Sequence, residues 1–219
     1  PLAIVEENEK VPAILNVWFP GSEAGLAISD VLFGDVNPSG KLPFSFPKKL
    51  SDNAAHSFGE LSYPGDGVNQ YYKEDILVGY RWFDTKKIAP QYAFGYGLSY
   101  TNFKLSDIKT DKNVYSLTDK ITVHCTVTNN GNRQGAEVIQ VYIGKLNSDV
   151  KRASKELKGF KKVFLKSYKK ETAKIEINVS DLAFYNEKIS DWAVEKGTYS
   201  IHVGNASDSI SEIIKVTIK

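Results

Sequence analysis

Residues 11–47 read VPAILNVWFPGSEAGLAISDVLFGDVNPSGKLPFSFP and contain the signals of a strand, a helix and a second strand. The apolar run Val11–Phe19 is short for a helix and predicts a strand buried on both faces, as in a parallel sheet. Ser22 suits a helix N-cap, and Glu23 would place negative charge in the first turn. Gly34 suits the residue that closes such a helix.

The proline-framed run Leu42–Phe46 predicts the second, short strand. One strand–helix–strand unit cannot bury both faces of its strands, so we expect a larger sheet to complete it. Residues 48–99 show little periodicity but many aromatic side chains, as in YYKEDILVGYRWFD. This composition indicates a connector that packs against a larger body, because long irregular stretches are unusual in a free-standing domain.

From residue 101 onward the pattern is that of a β protein. Ile121, Val123, Cys125 and Val127 alternate with polar residues, which is the period of a half-buried strand. The strand candidates are Phe103–Lys109, Lys120–Thr128, Ala136–Ile143, Glu156–Leu165, Glu171–Val179, Gly197–Val203 and Ile210–Ile218. This number of short strands predicts an immunoglobulin-like or fibronectin type III-like β-sandwich. The turn signal at 129–132, NNGN, predicts a hairpin or a corner.

Composition supports a boundary near residue 100 and excludes some partners. Residues 1–100 carry 8 Lys+Arg against 12 Asp+Glu, and residues 101–219 carry 20 against 14. The net charge is only +2, so we expect no nucleic-acid partner. No apolar run approaches the roughly 20 residues of a membrane helix, so we expect no membrane partner. The sequence contains no methionine, so we expect residue 1 to be an internal point of a longer product.

Few residues present a chemical constellation. The carboxylates Glu23, Asp30 and Asp35 share one segment, but a helix start and a turn explain them better than acid–base chemistry. The three histidines, His56, His124 and His202, are too scattered for a metal site. Cys125 lies in an alternating strand and is interpreted as a small core residue.

Two segments remain as candidates for ligand contact. Arg81 and Trp82 are the candidate substrate-binding residues, because aromatic rings stack on sugars and Arg can bond hydroxyl groups. The alternative is an aromatic connector anchored at a domain interface. The lysine-rich run 151–170 interleaves Phe160, Val163, Phe164 and Leu165, which we interpret as the buried phase of strands with lysine on the wet face.

These motifs resemble glycoside hydrolase family 3 along nearly the whole chain. Residues 12–47 are similar to the late part of that family's second, α/β sandwich domain, and FGYGLSYTNF is similar to the passage into its last domain. EVIQVYIGK, KELKGFKKVFLK, LAFYNEKISDW and GTYSIHVGNAS resemble its fibronectin type III-like domain. The resemblance implies an α+β multi-domain fragment, a partial α/β sandwich unit followed by a β-sandwich. We expect boundaries of 1–50, 51–100 as the connector, and 101–219.

The resemblance also implies a function for the parent protein, a bacterial-type β-glucosidase that hydrolyses terminal non-reducing β-D-glucosyl residues. The family's nucleophile is an aspartate of an N-terminal barrel, and its acid/base glutamate lies upstream of the matching segment. We therefore expect no catalytic residue, no metal and no cofactor in this chain, which alone would be structural and inactive. Its β-glucoside or oligosaccharide substrate would bind through the N-terminal barrel.

Other interpretations stay open at this point. The chain could be a stand-alone carbohydrate-binding or adhesive β-sandwich, and the parent could be a β-xylosidase or an N-acetylglucosaminidase. The sequence decides neither the oligomeric state, for which an oligomer is left open, nor the compartment, where the periplasm or the extracellular space is slightly favoured over the cytoplasm.

Overall fold

The computed structural model describes residues 3–219, so Pro1 and Leu2 of the predicted first segment lie outside the described residues. Helix α1 spans Val5–Lys10, α2 spans Ala24–Phe33 and α3 spans Tyr80–Lys86. Strands form at β1 (Phe103–Thr110), β2 (Val114–Tyr115), β3 (Lys120–Asn129), β4 (Gly135–Lys145), β5 (Glu156–Leu165), β6 (Lys170–Asn178), β7 (Phe184–Asn186), β8 (Asp191–Ala193), β9 (Gly197–Gly204) and β10 (Ile210–Ile218). No helix within the described range is long and apolar enough to cross a bilayer.

The strands after residue 101 build the predicted β-sandwich. One sheet has the order β1-β3-β6 and the other β2-β10-β9-β4-β5, and all pairs are antiparallel except β2 with β10. The seven predicted strands are confirmed within a few residues at each end. The 129–132 turn is a corner and not a hairpin, because it leads from β3 in one sheet to β4 in the other.

The core lies between the two sheets and consists of the inward phase of each strand. The buried set includes Ile121, Val123, Cys125, Val127, Ile139, Val141, Ile143, Ala173, Ile175, Ile177, Tyr199, Ile201, Val203, Val216 and Ile218. Their alternation in sequence corresponds to the two faces of a pleated strand. A separate small cluster, with Leu77, Trp82, Phe83 and Ala153, lies beneath α3.

The first hundred residues form less regular structure than the sequence predicts. The predicted strand Val11–Phe19 is not formed; this segment is exposed and pairs with no strand of residues 3–219. A strand that buries both faces needs neighbours on either side, and the described chain supplies none. The predicted strand Leu42–Phe46 is reduced to a bridge between Phe46 and Tyr92, with backbone bonds from Leu42 to the same returning segment.

Helix α2 forms as predicted, with one correction at its start. Glu23, not Ser22, is the N-cap residue, and no side chain caps the helix. Gly34 closes the helix with a left-handed backbone (φ +86°) that favours glycine, and its N–H donates to the Val31 carbonyl. The connector also contains order that its weak periodicity did not predict, namely α3 and two single 3₁₀ turns, Leu50–Asp52 and Ala54–His56.

The expectation that Phe160 and Phe164 are buried is wrong. Both rings are mostly exposed on the outer face of β5, while Val163 and Leu165 occupy the buried phase. Apolar residues fall on both phases of this strand, and its pairing with β4 turns Val163 and Leu165 toward the core.

Candidate functional site

The connector packs against the outer face of the five-stranded sheet, and this contact contains two ion pairs whose side chains are largely buried. We call it the seam, defined by Lys41, Tyr80, Asp84, Phe94 and Gly95 on one side, and by Glu137, Gln140, Tyr142, Lys155 and His202 on the sandwich.

Two buried ion pairs cross the seam. Lys155 Nζ lies 2.6 Å from Asp84 Oδ2, with both side chains nearly nine-tenths buried. Lys41 Nζ lies 2.7 Å from Glu137 Oε1, and Asn205 Nδ2 donates to the other oxygen of Glu137 at 3.2 Å. Burial raises the pKa of the Asp84 carboxyl, although the hydrogen bond and charge of Lys155 lower it in part. Each of these four buried charges therefore has a partner of opposite sign, as the cost of desolvation requires.

An aromatic and amide network fills the seam between the ion pairs. The Tyr80 ring stacks on Phe94 with centroids 4.8 Å apart and meets Tyr142 edge-on at 5.6 Å. The Tyr80 hydroxyl accepts a hydrogen bond from the Leu157 backbone N–H at 2.7 Å, and the Tyr142 hydroxyl donates to Gln140 Oε1. Burial raises the pKa of both Tyr80 and Tyr142, so both hydroxyls stay protonated at neutral pH.

Gly95 lets the connector approach the sheet closely. Its φ of +83° favours glycine, and a Cβ there would collide with the Gln140 side-chain amide. That amide donates through Nε2 to the carbonyls of Asn205, at 2.7 Å, and of Gly95, at 3.4 Å. The Gly-Tyr-Gly run, too short for a dinucleotide fingerprint, therefore serves a close backbone contact.

A second group of contacts joins the end of α2 to the corner after β3. Arg133 donates to the Gly34 carbonyl at 3.1 Å and lies over the Tyr100 ring. The Tyr100 hydroxyl donates to the Val31 carbonyl at 2.7 Å. Asn37 donates to the Gln134 carbonyl and accepts from the Tyr100 N–H. These bonds hold the end of α2 against the corner of the sandwich.

The predicted substrate-binding residues lie at the α3 end of the seam. The Trp82 ring is buried, and its Nε1–H donates to the Asp52 carbonyl at 3.0 Å. Arg81 Nη1 lies 3.8 Å from Glu156 Oε1, while Arg81 Nε is buried without a partner. Sugar contact by Arg81 and Trp82 stays a prediction, and the burial of Trp82 favours the alternative of an interface anchor.

The remaining candidate residues are dispersed. Glu23 is the N-cap residue of α2, with Asp30 within the helix and Asp35 just after it. His202 is half-buried in the seam, with its Nε2 2.9 Å from the Ser200 hydroxyl, whereas His56 and His124 lie on other elements. No three His, Cys, Asp or Glu side chains of the described chain gather where they could hold a metal ion.

Sequence reasoning missed the charged residues of the seam. Asp84 and Lys155 lie in segments rich in other charges, and the partners of all four residues are far away in sequence. One signal was available: Glu137 interrupts the apolar β4 run, where a charged residue needs a buried partner.

Comparisons with known proteins match both halves of the chain. Residues 1–100 match the family model described as the glycosyl hydrolase family 3 C-terminal domain, and residues 137–207 match the fibronectin type III-like domain. Beta-glucosidase BoGH3A of Bacteroides ovatus is 46% identical over 202 residues, which cover 92% of this chain and 27% of that protein. An exo-α-(1→6)-L-arabinopyranosidase of Bifidobacterium breve is 40% identical over 94% of this chain and 26% of its own length.

Solved structures show the same relationship. The structure of beta-glucosidase 3B from Thermotoga neapolitana in complex with alpha-D-glucose superimposes with a TM-score of 0.89 at 39% identity, over 99% of this chain and 30% of that one. The chain spans only about a quarter of the length of the curated relatives described above, and the matched models do not include the family's catalytic domain. The chain therefore belongs to glycoside hydrolase family 3, of which it contains the C-terminal domain and the fibronectin type III-like domain.

Proposed function

We propose that the protein containing this chain is a β-glucosidase that removes terminal non-reducing β-D-glucosyl residues with retention of configuration. The observation that carries this proposal is the identity of 46% to a β-glucosidase over nearly the whole chain. Residues 1–219 then act as a brace, in which the sandwich holds the α/β segment in the shape that the catalytic domain requires.

The chemistry of the seam supports a structural role for this chain. Retaining hydrolysis needs two carboxyl groups about 5–5.5 Å apart, one as nucleophile and one as acid and base. Asp84 and Glu137, the buried carboxylates of the seam, are each paired with a lysine and buried between elements. A carboxylate that already neutralises a buried ammonium group is poorly suited to attack a sugar or to donate a proton.

The exposed apolar surface of the first segment supports a brace as well. Helix α2 and the segment before it expose large side chains to solvent, among them Trp18, Phe19, Leu26, Leu32 and Phe33. Patches of this kind mark surfaces that another part of a protein covers. The proposal places the rest of the α/β sandwich domain on this surface, since the matched residues make up only 27% of beta-glucosidase BoGH3A.

The test is an assay of the longer protein with a panel of aryl glycosides. We expect turnover of the β-D-glucoside to exceed that of the β-D-xyloside and the N-acetyl-β-D-glucosaminide. The α-L-arabinopyranoside belongs in the panel because one relative carries that activity in its name. Proton NMR of the first-formed sugar should show the β-anomer. An α-anomer would refute retention of configuration, and faster turnover of another glycoside would refute the preference for glucose.

A further inference from the structure

Strands β7 and β8 form a small hairpin whose two faces have opposite character. In the register Phe184↔Ala193 and Tyr185↔Trp192, the first pair is turned toward the protein and the second toward solvent. Trp192 is 67% exposed and Tyr185 is 52% exposed, so the hairpin presents two large rings side by side to solvent. Their centroids are 5.8 Å apart at an interplanar angle of 78°.

The hairpin is held firmly from its inner face. The Arg152 guanidinium lies over the Phe184 ring at 5.6 Å and donates through Nη2 to the Leu182 carbonyl at 2.9 Å. Arg152 Nη1 also pairs with Glu195 at 3.3 Å, in a site where both side chains are largely buried. A three-residue hairpin would be marginal alone, so these contacts explain how its outer rings keep one arrangement.

The groups around the two rings are those that bind neutral polar molecules. Glu187 and Lys188 are exposed in the turn between the strands and Asp191 is exposed at the start of β8, so the hairpin carries two carboxylates and one ammonium group. This charge disfavours a nucleic acid or another polyanion. Exposed aromatic faces on a hairpin that also carries carboxylates suit the C–H faces and hydroxyl groups of a pyranose, because the ring supplies apolar contact and the oxygens accept hydrogen bonds.

We propose that the Tyr185–Trp192 pair is an auxiliary binding site for the β-glucan chain, separate from the catalytic domain. The perpendicular rings form a corner in which a sugar unit lies on one ring and contacts the edge of the other. The choice of a β-glucan as ligand depends on the proposed function, while the site itself depends only on the hairpin. Its role would be to hold a polymeric substrate near the enzyme without taking part in bond cleavage.

The experiment titrates the 219-residue chain with cellohexaose and with laminarin, a β-1,3-glucan, by isothermal calorimetry. We expect saturable binding of at least one of the two. Trp192→Ala should weaken that affinity at least tenfold, because it removes the larger of the two exposed rings. Trp192→Phe should retain part of it. Phe160→Ala is the matched control, because Phe160 is also 67% exposed but lies on β5.

The outcomes separate this site from the proposed function. Failure of the unaltered chain to bind either glucan overturns the proposal, as does an equal loss from Phe160→Ala and Trp192→Ala. A third result also overturns it: unchanged glucan binding by Trp192→Ala together with a lowered melting temperature of the longer protein, which would show that another domain covers the rings. None of these readouts uses hydrolysis, so a failed β-glucosidase assay would leave the site standing.

Discussion

Lys155 and Asp84 form a buried ion pair, Nζ to Oδ2 at 2.6 Å, that joins the start of β5 to helix α3. The ammonium group also lies 5.6 Å from the centre of the Tyr142 ring, so it contacts the centre of the seam as well as its edge. Burial of both groups makes the pair costly to break from one side only. Breaking this pair therefore tests how strongly the contact between the connector and the sandwich stabilises the chain.

Replacing Lys155 with methionine should destabilise the chain by about 3–5 kcal/mol, because it leaves the Asp84 carboxylate buried without a partner. Urea unfolding of the 219-residue chain measures this loss. Adding Asp84→Leu should recover part of it, since the uncompensated charge is then gone. Lys151→Met is the control: its pair with Asp75 is 3.1 Å long but more than half exposed, and should contribute less than about 1 kcal/mol. Equal losses from the two lysines would argue against a buried brace.

Gly95→Ala should separate the connector from the sheet. The substitution strains a backbone at φ +83° and drives a methyl group into Gln140. Gly67→Ala is the matched control. Gly67 has a similar φ of +86°, but nothing lies within 4 Å of a new Cβ, so this substitution introduces the backbone strain without a steric clash. Backbone strain of this kind costs about 1–3 kcal/mol. We expect a clearly lower melting temperature for Gly95→Ala, and equal melting temperatures would show that the close approach is unimportant.

His202 should make the chain less stable in mild acid. Burial lowers the pKa of its imidazole, and the nearby Lys155 ammonium lowers it further. The unfolded chain therefore binds a proton more readily, so the stability associated with neutral His202 is present above the unfolded pKa and is lost as the pH falls through the folded pKa.

The measurement compares unfolding free energies of the unaltered chain and His202→Gln from about pH 7.5 down to about pH 5. The lost contact with Ser200 offsets the two curves at all pH values. The difference should move in favour of His202→Gln as the pH falls. Parallel curves would show that the imidazole titrates as freely in the folded chain as in the unfolded one.

Cys125 should be unreactive in the folded chain. Its side chain is fully buried in the sandwich core, and burial raises the pKa of the thiol to about 11. Since the thiolate is the reactive form, a disulfide reagent at pH 8 should label the native chain far more slowly than the same chain in urea. Rapid labelling without denaturant would mean that β3 opens readily.

The strands of the sandwich could be predicted from the sequence because their signal is local. The alternation of Ile121, Val123, Cys125 and Val127 with polar residues is itself the signal of a half-buried strand. Both sheets that bury these side chains are present in the chain. The helix α2 was equally local, and only its first capping residue was misplaced.

The wrong predictions concern segments whose structure depends on contacts with residues far away in the sequence. Val11–Phe19 has the composition of a central strand, but no described strand lies beside it. Phe160 and Phe164 were assigned to the core from composition, and the pairing of β5 with β4 placed them outside. The seam pairs Lys41 with Glu137 and Asp84 with Lys155, residues far apart in the sequence, and no short motif indicates such a pair.

The most direct measurement is hydrolysis of an aryl β-D-glucoside by two preparations at equal molar concentration, residues 1–219 alone and the longer protein with its upstream domains. We expect the longer protein to release the phenol and the 219-residue chain to release none above the buffer rate. Turnover by the shorter chain that follows its folding transition would show that these residues carry the chemistry themselves, and the brace would have to be abandoned.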